Sequence, residues 1–215
     1  MVKILEEPKD LPGGTRHLFL AEGAAEVGLL SQILRSLCAG EDAVITCVKG
    51  VERIGPLVKR LVQPPAKNDL ASVTVVADAD NDPRARLDQI WGAFPIDEDS
   101  RAYGEKEGSV VVGATRYAAW LSPGCGKSGR IEDLVLGTVD PKTCNCVREL
   151  WRCATGLKKK KSPSSKAEVA IVIALRADEG LGLGSAFEKG LVHLDHRAFD
   201  PLRILLREQL AHQGP

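Results

Sequence analysis

Three carboxylates stand where the chain changes from apolar runs to helical patterns, and their spacing suits acid–base or metal-dependent chemistry. Glu22 follows the apolar run Arg16–Ala21 in Leu20-Ala21-Glu22-Gly23, and Gly23 allows a sharp backbone turn into the next element. Asp78 and Asp80 follow Ser72–Ala77, two residues apart, so an extended chain points both to one side. Glu26 lies one helical turn past Glu22, and Glu132 and Asp133 come after the Gly-rich turn Pro123–Gly129. Carboxylates gathered about 4 Å apart repel by about 4 kcal/mol per pair at an effective dielectric near 20. Either their pKa values rise or a cation sits among them. Hard oxygen donors suit Mg²⁺ or Mn²⁺, and two such ions about 3.5–4 Å apart clamp both sides of a phosphodiester displacement. The competing account is that these acids only cap helix N-termini, and it is strongest for Glu132 and Asp133.

The elements that must position these acids alternate. Arg16–Ala21, Ala43–Val48 and Ser72–Ala77 read as buried strands. Between and after them, Ala24–Cys38 places Val27, Leu30, Leu34 and Leu37 at helical spacing, and Glu52–Val62 does the same with Ile54, Leu57, Val58 and Leu61. Pro83 opens a further helix that Arg86–Phe94 continues with Leu87, Ile90 and Trp91 on one face. A fourth strand is expected around Val110–Val112 or Ala118–Leu121. Buried strands alternating with helices predict an α/β fold, a parallel sheet covered on both faces by right-handed crossovers, with its ligand site at the carboxyl ends of the strands. Beyond Asp140 the pattern is helical: Val147–Ala154, then the apolar Lys166–Leu175, then an amphipathic Phe199–His212. The expected organisation is an N-terminal lead over 1–15, an α/β core over 16–140, and a small helical extension over 141–215 that completes the same domain.

Leu20-Ala21-Glu22-Gly23 followed by Val75-Val76-Ala77-Asp78-Ala79-Asp80 on this framework resembles the Toprim domain of topoisomerases, DnaG-type primases and overcoming-lysogenization-defect nucleases. The spacing, the later Pro-Gly-Cys-Gly-Lys-Ser-Gly-Arg-Ile-Glu-Asp-Leu at 123–134 and the 166–175 segment resemble more closely still a stand-alone Toprim-related family of prokaryotic proteins, over about residues 16–210. The resemblance implies a Rossmann-like sheet. It also implies that Glu22 acts as general acid or base or helps hold metal, and that Asp78 and Asp80 form a metal-binding pair. Glu26 matches an acidic residue that joins a second metal site in the nuclease branch, and Glu132 a later acidic position. Ala24 and Ala25 depart from the family pattern, and no tyrosine nucleophile is evident. The large extra domains of a strand-passing topoisomerase or a full primase do not fit in 215 residues.

The expected function is Mg²⁺- or Mn²⁺-dependent nicking or cleavage of DNA or RNA, with one or two ions. One alternative is a catalytically degenerate binding subunit that docks to a partner ATPase. Another is nucleotide hydrolysis at Leu121–Ser128, which reads Leu-Ser-Pro-Gly-Cys-Gly-Lys-Ser and lacks the first glycine of a phosphate-binding loop. In the favoured reading that turn carries Lys127 and Arg130 towards the acidic mouth, where Lys127 stabilises charge on a phosphate.

Composition bounds these readings. Lys+Arg and Asp+Glu number 29 each, which argues against a partner held by net charge alone. The balance is split, however: residues 1–140 hold 16 basic and 21 acidic side chains, and residues 141–215 hold 13 and 8. Lys158, Lys159, Lys160, Lys161 and Lys166 are candidate backbone contacts for a nucleic acid, although a lysine run is also the ordinary composition of a solvated turn. Two divalent ions would turn the acidic mouth from repelling phosphate to attracting it. A hydrophobic content of 44% excludes a disordered chain, and no 18-residue apolar run suggests a membrane span. With no secretory leader evident, a cytoplasmic protein with reduced thiols is expected. Cys144, Cys146 and Cys153 lack the spacing of a zinc knuckle. His193 and His196 read as surface or core residues.

Overall fold

Strand β2 (His17–Ala21) is fully buried, as are all but the last residue of β3 (Ala43–Cys47) and of β4 (Ser72–Asp78). Continuous apolar, β-branched runs of this kind belong to the interior of a parallel sheet. The computed structural model describes residues 2–6, 10–62, 69–124, 126–155, 163–177 and 180–214, and in it these strands pair in parallel with β1 (Lys3–Glu6) and β6 (Thr115–Ser122). The order is β1-β3-β2-β4-β6-β5, in which β5 (Ser109–Val112) runs antiparallel to β6. Both candidate regions for a fourth strand are therefore strands, joined as a hairpin. The N-terminal lead is not merely a lead, because Lys3–Glu6 forms an edge strand on β3. It alternates half-buried and exposed positions and carries a charge at each end, which suits an edge.

Alternation along the strands builds two cores. Leu18, Leu20, Val73 and Val75 face α2 (Ile54–Leu61) and α3 (Pro83–Trp91), where Trp91, Phe94 and Tyr117 cluster. Phe19, Ala21 and Val76 face α1 (Ala24–Ser36) and α5 (Ile131–Leu136). The same face takes α7 (Ser165–Ala177), α8 (Leu183–Glu188) and α9 (Asp200–Ala211), through Val169, Ile173, Phe187, Leu202 and Leu206. The C-terminal helices thus complete this core. Helices α1 and α8 meet at two glycines: a Cβ added to Gly28 would lie 2.5 Å from the Gly184 carbonyl oxygen.

Helix α4 (Glu98–Glu107), not expected from the sequence, has almost no apolar periodicity and is started by Asp97, which accepts the Ser100 amide at 2.7 Å. Helix α6 (Pro141–Thr155) begins earlier than its apolar residues suggested and rests on α7 through Cys144, Val147 and Val172. Beside that contact Arg148 pairs with the buried Glu168. Among the described residues no helix is long and apolar enough to cross a membrane.

Candidate functional site

Parallel register brings the carboxyl ends of β2, β4 and β6 side by side. Ala21 pairs with Val76 and Asp78 with Ser122, so the chain leaves the sheet at Glu22, Asp78 and Ser122 along one edge. The Glu22 amide donates to the Val76 carbonyl at 3.0 Å, and Glu22 Oε2 in turn accepts the Asp78 amide at 3.0 Å. Asp78 shares the sheet face of Val76, towards α1 and α5, and its Oδ1 accepts the amide of Ile131, the first residue of α5, at 2.8 Å. Glu26 sits in the first turn of α1 with 4% of its surface exposed, its Oε2 accepting the Gly23 amide at 3.0 Å. Sheet ends, α1 and α5 thus converge on one mouth.

The electrostatics of that mouth are those of crowded acids. Burial raises Asp78 to about 8, with Glu26, Glu132 and Glu22 adding repulsion against the amide of Ile131. Burial likewise raises Glu26 to about 7, and Glu22 and Glu132 push the same way. The charges of Glu22 and Glu132 thus bear on both Glu26 and Asp78. Glu22 and Asp78 each accept a backbone amide through one oxygen, and the second oxygen of each has no hydrogen-bond partner among the described residues, whereas the Glu26 carboxylate is held by the amides of Gly23 and of its own residue. The buried hydroxyl of Ser122, beside Asp78, also lacks a partner there.

Asp80 is oriented differently. The expectation that it points with Asp78 assumed extended chain, but Asp80 adopts φ 49° and forms an isolated antiparallel bridge with Gly129. Its amide donates to the Gly129 carbonyl at 2.8 Å, and its carbonyl accepts the Gly129 amide at 2.7 Å. That turn carries its carboxylate to Arg86, on α3, and to Arg130, whose Nε lies 3.0 Å from Oδ1. Asp133 is also engaged elsewhere. One oxygen accepts the Arg130 amide at 2.8 Å and closes the first turn of α5, and the other accepts the Ser165 hydroxyl, tying α7 to α5. Lys166, next in the chain, is exposed.

Lys127 is exposed and has no side-chain partner among the described residues. Helix α5 begins three residues after Ser128 and is six residues long, so the Lys-Ser pair does not open a helix as a triphosphate-binding loop requires. Lys158, Lys159, Lys160 and Lys161 lie outside the described residues. Cys38, Cys47, Cys144, Cys146 and Cys153 are free thiols. Arg86 was not read from the sequence as a site residue. Its signal is its place in the first turn of the helix that Asp82 caps, directly after the paired aspartates.

The donor chemistry fits a hard divalent cation: four carboxylates, a hydroxyl, and no basic group among the influences acting on Glu26 and Asp78. No three acidic, histidine or cysteine side chains among the described residues converge closely enough to share an ion as they stand.

A comparison with curated proteins gives no match. Among solved structures, the C-terminal region of the Burkholderia pseudomallei OLD protein is similar at 18% identity and a TM-score of 0.41, covering 93% of this chain and 92% of that one. Residues 16–210 match the family described as protein of unknown function DUF3226, and the chain belongs to that family.

Proposed function

We propose that the chain hydrolyses or nicks nucleic-acid phosphodiesters with Mg²⁺ or Mn²⁺ at the mouth formed by Glu22, Glu26, Asp78 and Glu132. One observation carries the reading: four mutually repelling carboxylates at adjoining strand ends, two of them holding protons near neutral pH because burial and their neighbours leave the charge uncompensated. A divalent cation relieves that repulsion and supplies electrophilic stabilisation of charge on a phosphoryl oxygen. The Toprim-like motif Leu20–Gly23 with Val75–Asp80 supports the same assignment.

The protein's own groups then have separable roles. Asp78, Glu26 and Glu132 hold the cation. The bond from the Asp78 amide fixes the carboxylate plane of Glu22 and leaves its second oxygen to orient a water and accept its proton. Lys127 is exposed and available to meet a phosphate oxygen. A plasmid-nicking assay with Mg²⁺ or Mn²⁺ tests the reading. The wild type nicks, and Glu22→Gln and Asp78→Asn do not; equal behaviour of all three, or no nicking by any, overturns it.

A further inference from the structure

The geometry points to a phosphate-binding clamp made by Arg86 and Arg130 on Asp80, beside the carboxylate mouth and distinct from its metal ligands. It rests on the reading that this chain acts on nucleic-acid strands. It goes beyond that reading by removing Asp80 from the metal-binding set and giving it to the grip on the substrate backbone.

Two guanidinium groups share the single Asp80 carboxylate, so the trio carries a net positive charge immediately beside a set of acids. Each arginine spends one donor position on Asp80, Arg86 through Nη2 and Arg130 through Nε, and their remaining side-chain N–H groups have no partner among the described residues. Arg130 keeps 58% of its side chain exposed against 17% for Arg86, so Arg86 is the anchor and Arg130 the reaching arm. The open edge of a guanidinium matches two oxygens of a phosphate in one plane. Both arginines line a cleft of about 450 Å³ with Asp80, Asn81, Asp82 and Gln89. Asp82 is engaged in part by the Ala85 amide, which its Oδ1 accepts at 3.0 Å.

The backbone is committed to this arrangement. A non-glycine residue at φ 49° is disfavoured, and the reciprocal hydrogen bonds to Gly129 hold it there. The bridge brings Arg130, which follows Gly129, to the arginine of α3. Only Ala79 separates Asp80 from Asp78, a chain distance of at most about 7 Å, so a phosphate held by the clamp adjoins the mouth.

The test uses the full chain with a short fluorescein-labelled oligothymidylate, followed by anisotropy in Ca²⁺ over a salt series. Mn²⁺ binding by calorimetry is measured in parallel. Arg130→Ala and Arg130→Gln alter an exposed side chain and are expected to fold. Each weakens oligonucleotide binding about tenfold and lowers the slope of log affinity against log salt by about 0.7, the loss of one phosphate contact on a single strand. Their Mn²⁺ affinity stays at the wild-type value, and Asp80→Asn also retains it whereas Asp78→Asn does not. Wild-type affinity and slope in both Arg130 variants overturn the clamp, as does absence of binding by the wild type. Loss of Mn²⁺ binding in Asp80→Asn returns Asp80 to the metal set and overturns it equally. If no form cleaves and binding still depends on Arg130, the clamp stands and the proposed cleavage falls.

Discussion

Glu22 and Asp78 are joined across two strands by a 3.0 Å hydrogen bond from the Asp78 amide to Glu22 Oε2, so each acid's position depends on the other's backbone. The bond ties the residue proposed to handle the proton to the residue proposed to hold the cation.

Removing either group therefore affects rate before fold. Glu22→Gln keeps an oxygen that accepts the Asp78 amide, so its melting temperature stays near the wild type while nicking falls by about 10²–10⁴, the range for a general acid or base. Chelation by EDTA abolishes nicking, and added Mn²⁺ restores it. Gel assays of supercoiled plasmid with parallel melts check both statements.

The crowded acids predict an unusual dependence of stability on pH. Asp78 and Glu26 bind their protons more tightly folded, at about 8 and about 7, than at the ordinary 3.8 and 4.5 of the unfolded chain. Their contribution is fully present below about pH 4 and is lost as pH rises through 7 and 8. In EDTA, the melting temperature of the wild type therefore falls between pH 5 and pH 9 more than that of Asp78→Asn, whose amide cannot ionise. Each kcal/mol corresponds to about 2–4 °C at this chain length. A divalent cation reverses the trend, because its binding expels those protons and strengthens as pH rises.

Outside the mouth, the Arg148–Glu168 pair fastens α6 to α7. Glu168 has 3% of its surface exposed, so Arg148→Ala leaves a buried carboxylate with its partner gone and destabilises the fold. Replacing both residues with Met recovers most of the loss. Chemical denaturation of the single and double variants measures this.

The α1–α8 contact makes a sharper structural prediction. In Gly28→Ala the new Cβ meets backbone at 2.5 Å, and in Gly184→Ala it meets the Ala24 carbonyl oxygen at 2.6 Å. Backbone has to shift in either case, which costs about 1–3 kcal/mol. Since α1 also carries Glu26, metal affinity falls with it in proportion to the displacement.

Much of the fold was legible because its signals are local. The β-branched run at 72–77, the heptad-like spacing of Leu30, Leu34 and Leu37, and Pro83 at a helix start each report their own element. Helix α4 was not legible, because its polar residues carry no period and its formation depends on the Asp97 cap and the surface it covers. The edge strand Lys3–Glu6 was hidden for a related reason: four residues show no period of their own and are ordered by pairing with β3.

The site shows the same division. That Glu22, Glu26, Asp78 and Glu132 stand at strand and helix ends was readable from the sequence. The separation of Asp80 from them was not, because it arises from a left-handed backbone held by Gly129, forty-nine residues away in sequence. The engagement of Asp133 was hidden similarly: its two oxygens accept the Arg130 amide at the start of α5 and the Ser165 hydroxyl.

The central claim is that the crowded carboxylates form a cation site, and direct titration of metal-free protein with Mn²⁺ by calorimetry at pH 8 tests it. The prediction is saturable binding of one or two ions by the wild type, at least tenfold weaker in Asp78→Asn, about 1.4 kcal/mol in binding free energy. No binding by the folded wild type, or equal binding by the variant, contradicts it.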